Sequence, residues 1–309
     1  MTTVPAHAHE TVDDHLTAIE REHDVAIALA VARGSHAWGA ASPDSDYDVG
    51  FVFVPTDLRR YAHLEGAPET VVVDRGEFEY QGWDVRTFAG LLADSNDGAI
   101  DLLRSPIRYR LAYDPADLTA YIERTYNPID LYHAWRGIAT SNYRKYISHH
   151  LVRNDDELFP IVDVDDPDGG EYTVETDDGT MTVSADDERF TETQTKPTVK
   201  RNLTICRAAM SAYYLKETGE RSEHELPALE FETFLREQAP AVFDADRIDR
   251  ARELLERKRA DNGETDIDDA VGREFAHPPK AIDPTVHARG GPDTERLNGF
   301  IDEIIAAVR

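Results

Sequence analysis

Across 309 residues the chain sets 61 acidic side chains against 33 basic ones, a formal net charge of −28 at pH 7, and it holds one cysteine, Cys206. One cysteine excludes an intramolecular disulfide. No apolar stretch nears the roughly 20 residues that span a bilayer, and the N-terminal MTTVPAHAHETVDDH lacks a basic region followed by an apolar core.

The acids are spread along the chain and few of the bases are lysine. This reads as a soluble cytoplasmic protein adapted to strong salt, where carboxylate repulsion is screened over about 3 Å at 1 M. The same charge argues against binding nucleic acid, an objection that salt or a local arginine cluster weakens. The length fits two domains of ordinary size.

Residues 12–23 place Val12, Leu16 and Ile19 at helical spacing among charges. The apolar run 25–32 predicts a buried strand that ends at Arg33-Gly34. Ser42-Pro43-Asp44 is a turn, and 46–54 a second strand closed by Pro55. A short helix follows over 58–64, a short strand over 70–73, a third strand over 78–85 and a helix over 87–93. Helical patterns then cover 130–151, 199–215, 227–238 and 245–259. Two alternating runs within 171–184, joined around Asp178-Gly179, predict a hairpin inserted between helices. A loop rich in Gly, Pro and Asp fills 261–293 before a closing helix over 295–308. Cys206 sits in an apolar helical run and reads as a small buried hydrophobe.

The chemistry concentrates in GSHAWGAASPDSDYDVGFVFV, residues 34–54. Alternate strand residues share a face, so Asp46 and Asp48 project together, about 6.6 Å apart along the chain. Magnesium takes oxygen ligands, commonly one or two carboxylates completed by substrate phosphates and water. Gly34 lets a phosphate approach the backbone, and Ser35 offers a hydroxyl and an amide to the β- and γ-phosphates, with Ser45 close by in sequence. Either half alone is common, since paired acids usually form a solvated face. The combination G-S-x3-G-x5-S-D-x-D ahead of an apolar strand is specific.

These residues resemble the signature of the DNA polymerase β nucleotidyltransferase superfamily, a Gly-Ser turn, a short helix and an Asp-x-Asp strand. GWDVRTFAGLLADSNDGAIDLLRSPIRY (82–109) is similar to the second block of a nucleotidyltransferase family that includes RNA-ligase-associated members. LYHAWRGIATSNYRKYI and PTVKRNLTICRAAMSAYYL resemble that family's helical C-terminal half. The likeness runs from about residue 25 to about 235.

The resemblance implies an α+β fold in three parts. A small mixed sheet flanked by helices forms a nucleotidyltransferase domain over 1–120, a helical domain with the hairpin insertion covers 121–260, and a loop-rich tail ending in a helix covers 261–309. It also implies a third carboxylate, Asp84 of Gly-Trp-Asp, although Asp84 equally suits a helix N-cap. Asp101 is the runner-up, where the family usually has Glu, or it pairs with Arg104. Lys200 and Arg201 match a basic pair that, with Arg207 seven residues on, could hold a triphosphate; otherwise they form an exposed basic face. Gly50 stands where relatives often have Arg, and Thr87 where they often have Lys, so two cations are missing. His36 contacts phosphate or faces solvent.

The activity implied is transfer of a nucleoside monophosphate from an NTP to a hydroxyl or phosphate, with two Mg²⁺ or Mn²⁺ ions and release of pyrophosphate. Asp46, Asp48 and Asp84 would be the metal ligands, and the acceptor an RNA end, a small molecule or a protein. Alternatives are a nucleotide-binding module without catalysis and a ribonuclease built on Arg144 and His149 as R-x4-H, a spacing that leaves the two offset on a helix.

Overall fold

Strand β1 (Val25–Ala32) is buried on both faces because helices cover both sides of its sheet. The computed structural model describes residues 5–155, 157–164, 170–176, 178–193 and 196–309. Helix α1 (Ala6–His23) lays Ala8, Val12, Leu16 and Ile19 on one face. After β1 come the single turn α2 (Gly34–Ala37), β2 (Tyr47–Pro55), β3 (Thr70–Asp74) and β4 (Phe78–Asp84). Helices α3 (Val85–Ala93) and α4 (Asp97–Arg104) and strand β5 (Arg108–Leu111) complete this part. The sheet order is β3-β4-β2-β1-β5; β2 and β4 run parallel and every other neighbouring pair antiparallel.

Helices α5 (Ala116–Thr125) and α6 (Pro128–Tyr146) lead into a second sheet of β6 (His150–Arg153), β7 (Leu158–Val164), β8 (Glu171–Thr176), β9 (Gly179–Ser184) and β10 (Phe190–Thr193). Its order is β10-β6-β7-β8-β9, all antiparallel, around Leu151, Phe159, Val174 and Val183. The expected hairpin is therefore the outer pair of a five-stranded sheet. The helix expected to reach residue 151 stops at Tyr146, and Leu151 turns into the new core instead.

Helix α7 (Val199–Glu220) packs along α6. Helices α8 (Phe231–Thr233), α9 (Ala245–Arg257), α10 (Arg273–Ala276), α11 (Pro284–His287) and α12 (Thr294–Ala307) follow. One buried cluster joins Val31 and Val52 of the first sheet to Trp135, Leu215 and Phe300, so packing is continuous across residues 120 and 260. A π-turn over Lys258–Asn262 kinks the chain after α9, with Asp261 at φ 62°. Such π-bulges are frequent at functional sites. No helix among the described residues is long and apolar enough to cross a membrane.

Candidate active site

Where β1 ends, the Arg33 amide donates to the Asp48 carbonyl at 2.8 Å, so the turn grows directly off the edge of β2. Gly34 opens α2 at φ +55°, and a Cβ there would collide with Asp48 Oδ2. Only glycine accepts both conditions at little cost. The chain then coils tightly, with the Ala40 amide on the Ser35 carbonyl at 2.8 Å and the Ser42 amide on Ser45 Oγ at 3.0 Å. Asp46 immediately precedes β2 and Asp48 is its second residue.

These residues open on a cavity of about 740 Å³. Gly34, Ser35, Ser45, Asp46, Asp48 and Glu79 line it from the sheet, and Lys200, Arg207 and Lys258 from the later helices. Burial, with Asp46 adding to it, pushes the Asp48 carboxyl above its usual range; Arg33 and Lys200 oppose that shift.

Asp84 is not part of this group. In the parallel ladder Asp48 stands opposite Glu79, whereas Asp84 stands opposite Phe53, five positions further along. At about 3.3 Å per residue that separates Asp84 from the Asp48 level by some 16 Å of strand. Asp84 is 3% exposed, accepts from Tyr61 Oη at 2.6 Å and from the Arg86 amide at 2.9 Å, and caps α3. Burial raises its pKa despite those donors. Besides Asp46 and Asp48 the cavity is lined by Asp44, Glu79, Asp261 and Glu264, and of these Glu79 stands opposite Asp48 on the neighbouring strand. Phe78 and Tyr80 pack beneath α1 while Trp83 joins the opposite cluster, so odd positions of β4 share the Asp48 face.

The expected cations divide. Lys200 reaches the cavity, its Nζ 3.7 Å from Glu264. Arg201 turns away, lying 4.4 Å from the Tyr146 ring and donating to the Lys196 carbonyl. Arg207 reaches the wall, with its guanidinium 4.0 Å from the Trp38 ring and 3.1 Å from Asp101. Asp101 thus pairs with Arg207; Arg104 goes to Glu123 and the Pro227 carbonyl.

Two further cations were not picked out from sequence. Lys258, 7% exposed, donates to Ser42 Oγ at 3.2 Å and Ser45 Oγ at 3.0 Å. Burial and the neighbouring Lys200 push its pKa down. It follows a helix whose amphipathic pattern hides the later π-turn. Arg33 lies across Gly50, where any Cβ would strike its Cδ, and donates to Gln81 Oε1 at 2.6 Å. Arg33 therefore lies where a side chain at position 50 would project. Thr87 sits in the first turn of α3, beside Asp84 at the far end of β4.

His36 is buried and stacks on Tyr47 at 4.6 Å, and burial lowers its pKa. Arg144 lies 3.8 Å from Glu175 of the second sheet, and His149 is exposed beyond the end of α6, so the two form no helical dyad. Burial pushes the Cys206 thiol up to about 12. Among the described residues no group of three or more acidic, histidine or cysteine side chains is by itself placed to hold a metal ion.

Against known proteins, the sequence matches the family described as RNA repair pathway DNA polymerase beta family over residues 8–302. It is also 30% identical over 146 residues to an uncharacterised protein of Bacillus subtilis (strain 168), YcgL. That match takes in 47% of this chain and 56% of YcgL, a little over half the relative's length.

Proposed function

From the premise that the chain belongs to the RNA repair pathway DNA polymerase beta family, of polymerase β-like nucleotidyltransferases, we propose that it transfers a nucleoside monophosphate from an NTP to an RNA end. The acceptor oxygen attacks the α-phosphorus, the bond from that phosphorus to the bridging oxygen breaks, and pyrophosphate leaves.

Asp46, Asp48 and Glu79 offer only hard oxygen donors, which fits Mg²⁺ or Mn²⁺. The open arrangement suits a site whose coordination is completed by substrate phosphates and water. Once bound there, the ions would neutralise charge on the transferring phosphate. Gly34 and Ser35 present backbone and hydroxyl donors to the β- and γ-phosphates, and Lys200, Arg207 and Lys258 meet the same tail from the opposite wall. Glu79, exposed and across the ladder from Asp48, takes the acceptor's proton. Positioning and charge compensation suffice for this chemistry, without a covalent nucleophile.

The observation that carries this reading is the Asp48 carboxylate pressed against Gly34 in a cavity that also receives three cations. The test incubates the protein in molar salt with each labelled NTP and Mg²⁺ or Mn²⁺, against RNA, tRNA, small hydroxylated acceptors and the protein itself. Transfer to RNA that disappears in Asp46→Asn and Asp48→Asn supports it. Transfer that survives both substitutions overturns it, and label on the protein or a small molecule moves the acceptor to that class.

A further inference from the structure

Arg207 reaches back from the cavity wall into a buried charge array whose acids the proposed reaction does not itself use. Helix α4 buries Ala99, Ile100, Leu102 and Leu103, which fixes its rotation and turns Asp101 toward α7. There Asp101 Oδ2 receives Arg207 Nη2 at 3.1 Å, with the two side chains only 19% and 15% exposed. The Arg207 guanidinium is held on its flat side by Trp38, 4.0 Å away, one turn beyond Gly34. Arg207 lines both the main cavity and a smaller one of about 120 Å³ behind it, where Arg33, Asp97 and Asp101 gather.

An arginine carries five N–H donors in a rigid fork, so one edge can stay on a carboxylate while another faces a ligand. A free arginine would lose rotamer entropy each time it met a phosphate; one already held by a carboxylate and an aromatic face loses less. We propose that Asp101 is a positioning residue that fixes the Arg207 guanidinium on Trp38, so that the triphosphate of the incoming NTP meets a cation already aimed at it. The inference rests on the NTP reading of the cavity. The acid and the arginine come from opposite halves of the chain, so the pair also joins the nucleotide-binding sheet region to the long helix.

The experiment measures binding of each NTP and steady-state transfer for the full chain and for Asp101→Asn, Asp101→Glu, Arg207→Ala and the Asp101→Asn/Arg207→Ala double variant. Thermal unfolding runs alongside. The expected result is a KM for NTP raised on the order of tenfold in Asp101→Asn with kcat changed far less, as for loss of a charge-assisted hydrogen bond. Asp101→Glu recovers most of the loss, and the double variant is no worse than Arg207→Ala alone. An unchanged KM in Asp101→Asn, whether or not the melting point falls, overturns the positioning role, as does a double variant whose defects multiply. Transfer that persists under either outcome leaves the proposed function standing; an unaltered protein that binds no NTP overturns both.

Discussion

The Asp48 carboxylate occupies the space that any side chain at Gly34 would need, so the acid and the turn must be accommodated together. Gly34→Ala would drive a Cβ into Oδ2 and hold an L-residue at φ +55°, a backbone cost of about 1–2 kcal/mol. The expected outcome is a folded protein with transfer reduced on the order of a hundredfold, since small displacements of reacting groups carry that penalty. Circular dichroism beside the transfer assay checks it.

Glu79→Gln should reduce transfer as severely as Asp48→Asn, on the order of a hundredfold or more, while Asp84→Asn should leave it nearly intact. Asp84 matters to stability instead. Asp84→Ala removes the α3 cap and the acceptor for Tyr61, a loss of about 1–2 kcal/mol in denaturant unfolding. Asn keeps a capping oxygen without a buried charge. Because burial raises the folded-state pKa of Asp84, the folded state binds the extra proton, and stability from this group falls as pH rises through that raised value. Asp84→Asn should remove that part of the slope.

The contrast between Glu79 and Asp84 marks what sequence can carry here. The Gly-Ser turn and the two aspartates are a local pattern, so their convergence could be read from spacing. The place of Glu79 beside Asp48 depends on a parallel register between strands separated in sequence by β3, and nothing local sets that register. Parity held a clue: Asp84 shares its strand face with Phe78 and Tyr80, the side buried under α1, whereas Glu79 does not. On a helical wheel Lys200 falls within about 20° of Arg207 while Arg201 stands about 120° away, and the rings of Tyr146 and Trp38 take Arg201 and Arg207 respectively. The second sheet escaped notice because β6 is only four residues long and continues a helical pattern.

Gly50→Ala should act as a substitution of Arg33. The new methyl would occupy the path of the Arg33 side chain and break its bond to Gln81. We expect transfer to fall on the order of tenfold in Gly50→Ala and in Arg33→Met, with the double variant no worse than either, which a double-mutant cycle on the transfer rate would detect.

His224 and His287 meet edge to face at 5.2 Å between ring centres, both buried, and burial lowers the pKa of each. Arg289 adds to the effect at His224, while Glu220 and Asp283 oppose it at His287. A histidine with a depressed folded-state pKa binds fewer protons folded than unfolded, so its stabilising contribution is complete above about 6.5 and declines as pH falls toward the folded value. Urea midpoints should therefore drop between pH 7.5 and 5.5. His287→Phe should flatten that drop, and an unchanged slope would remove this pair as its source.

With 61 acids against 33 bases, like-charge repulsion weighs on the folded state over the whole surface. Many of the arginines are already engaged by neighbouring acids, as in Arg153 with Asp155 and Glu157 or Arg189 with Asp187, and these exposed pairs contribute little on their own. The surplus carboxylates have no such partners to offset them, so salt must do it. Raising KCl from about 0.1 M to about 2 M shortens the screening length from about 10 Å to under 3 Å, which relieves repulsion between separated acids faster than it weakens contact pairs. The melting temperature should rise steadily across that range by about ten degrees or more. A melting temperature that peaks near 0.2 M and then falls would mean that short-range ion pairs, rather than net charge, dominate the stability of this chain.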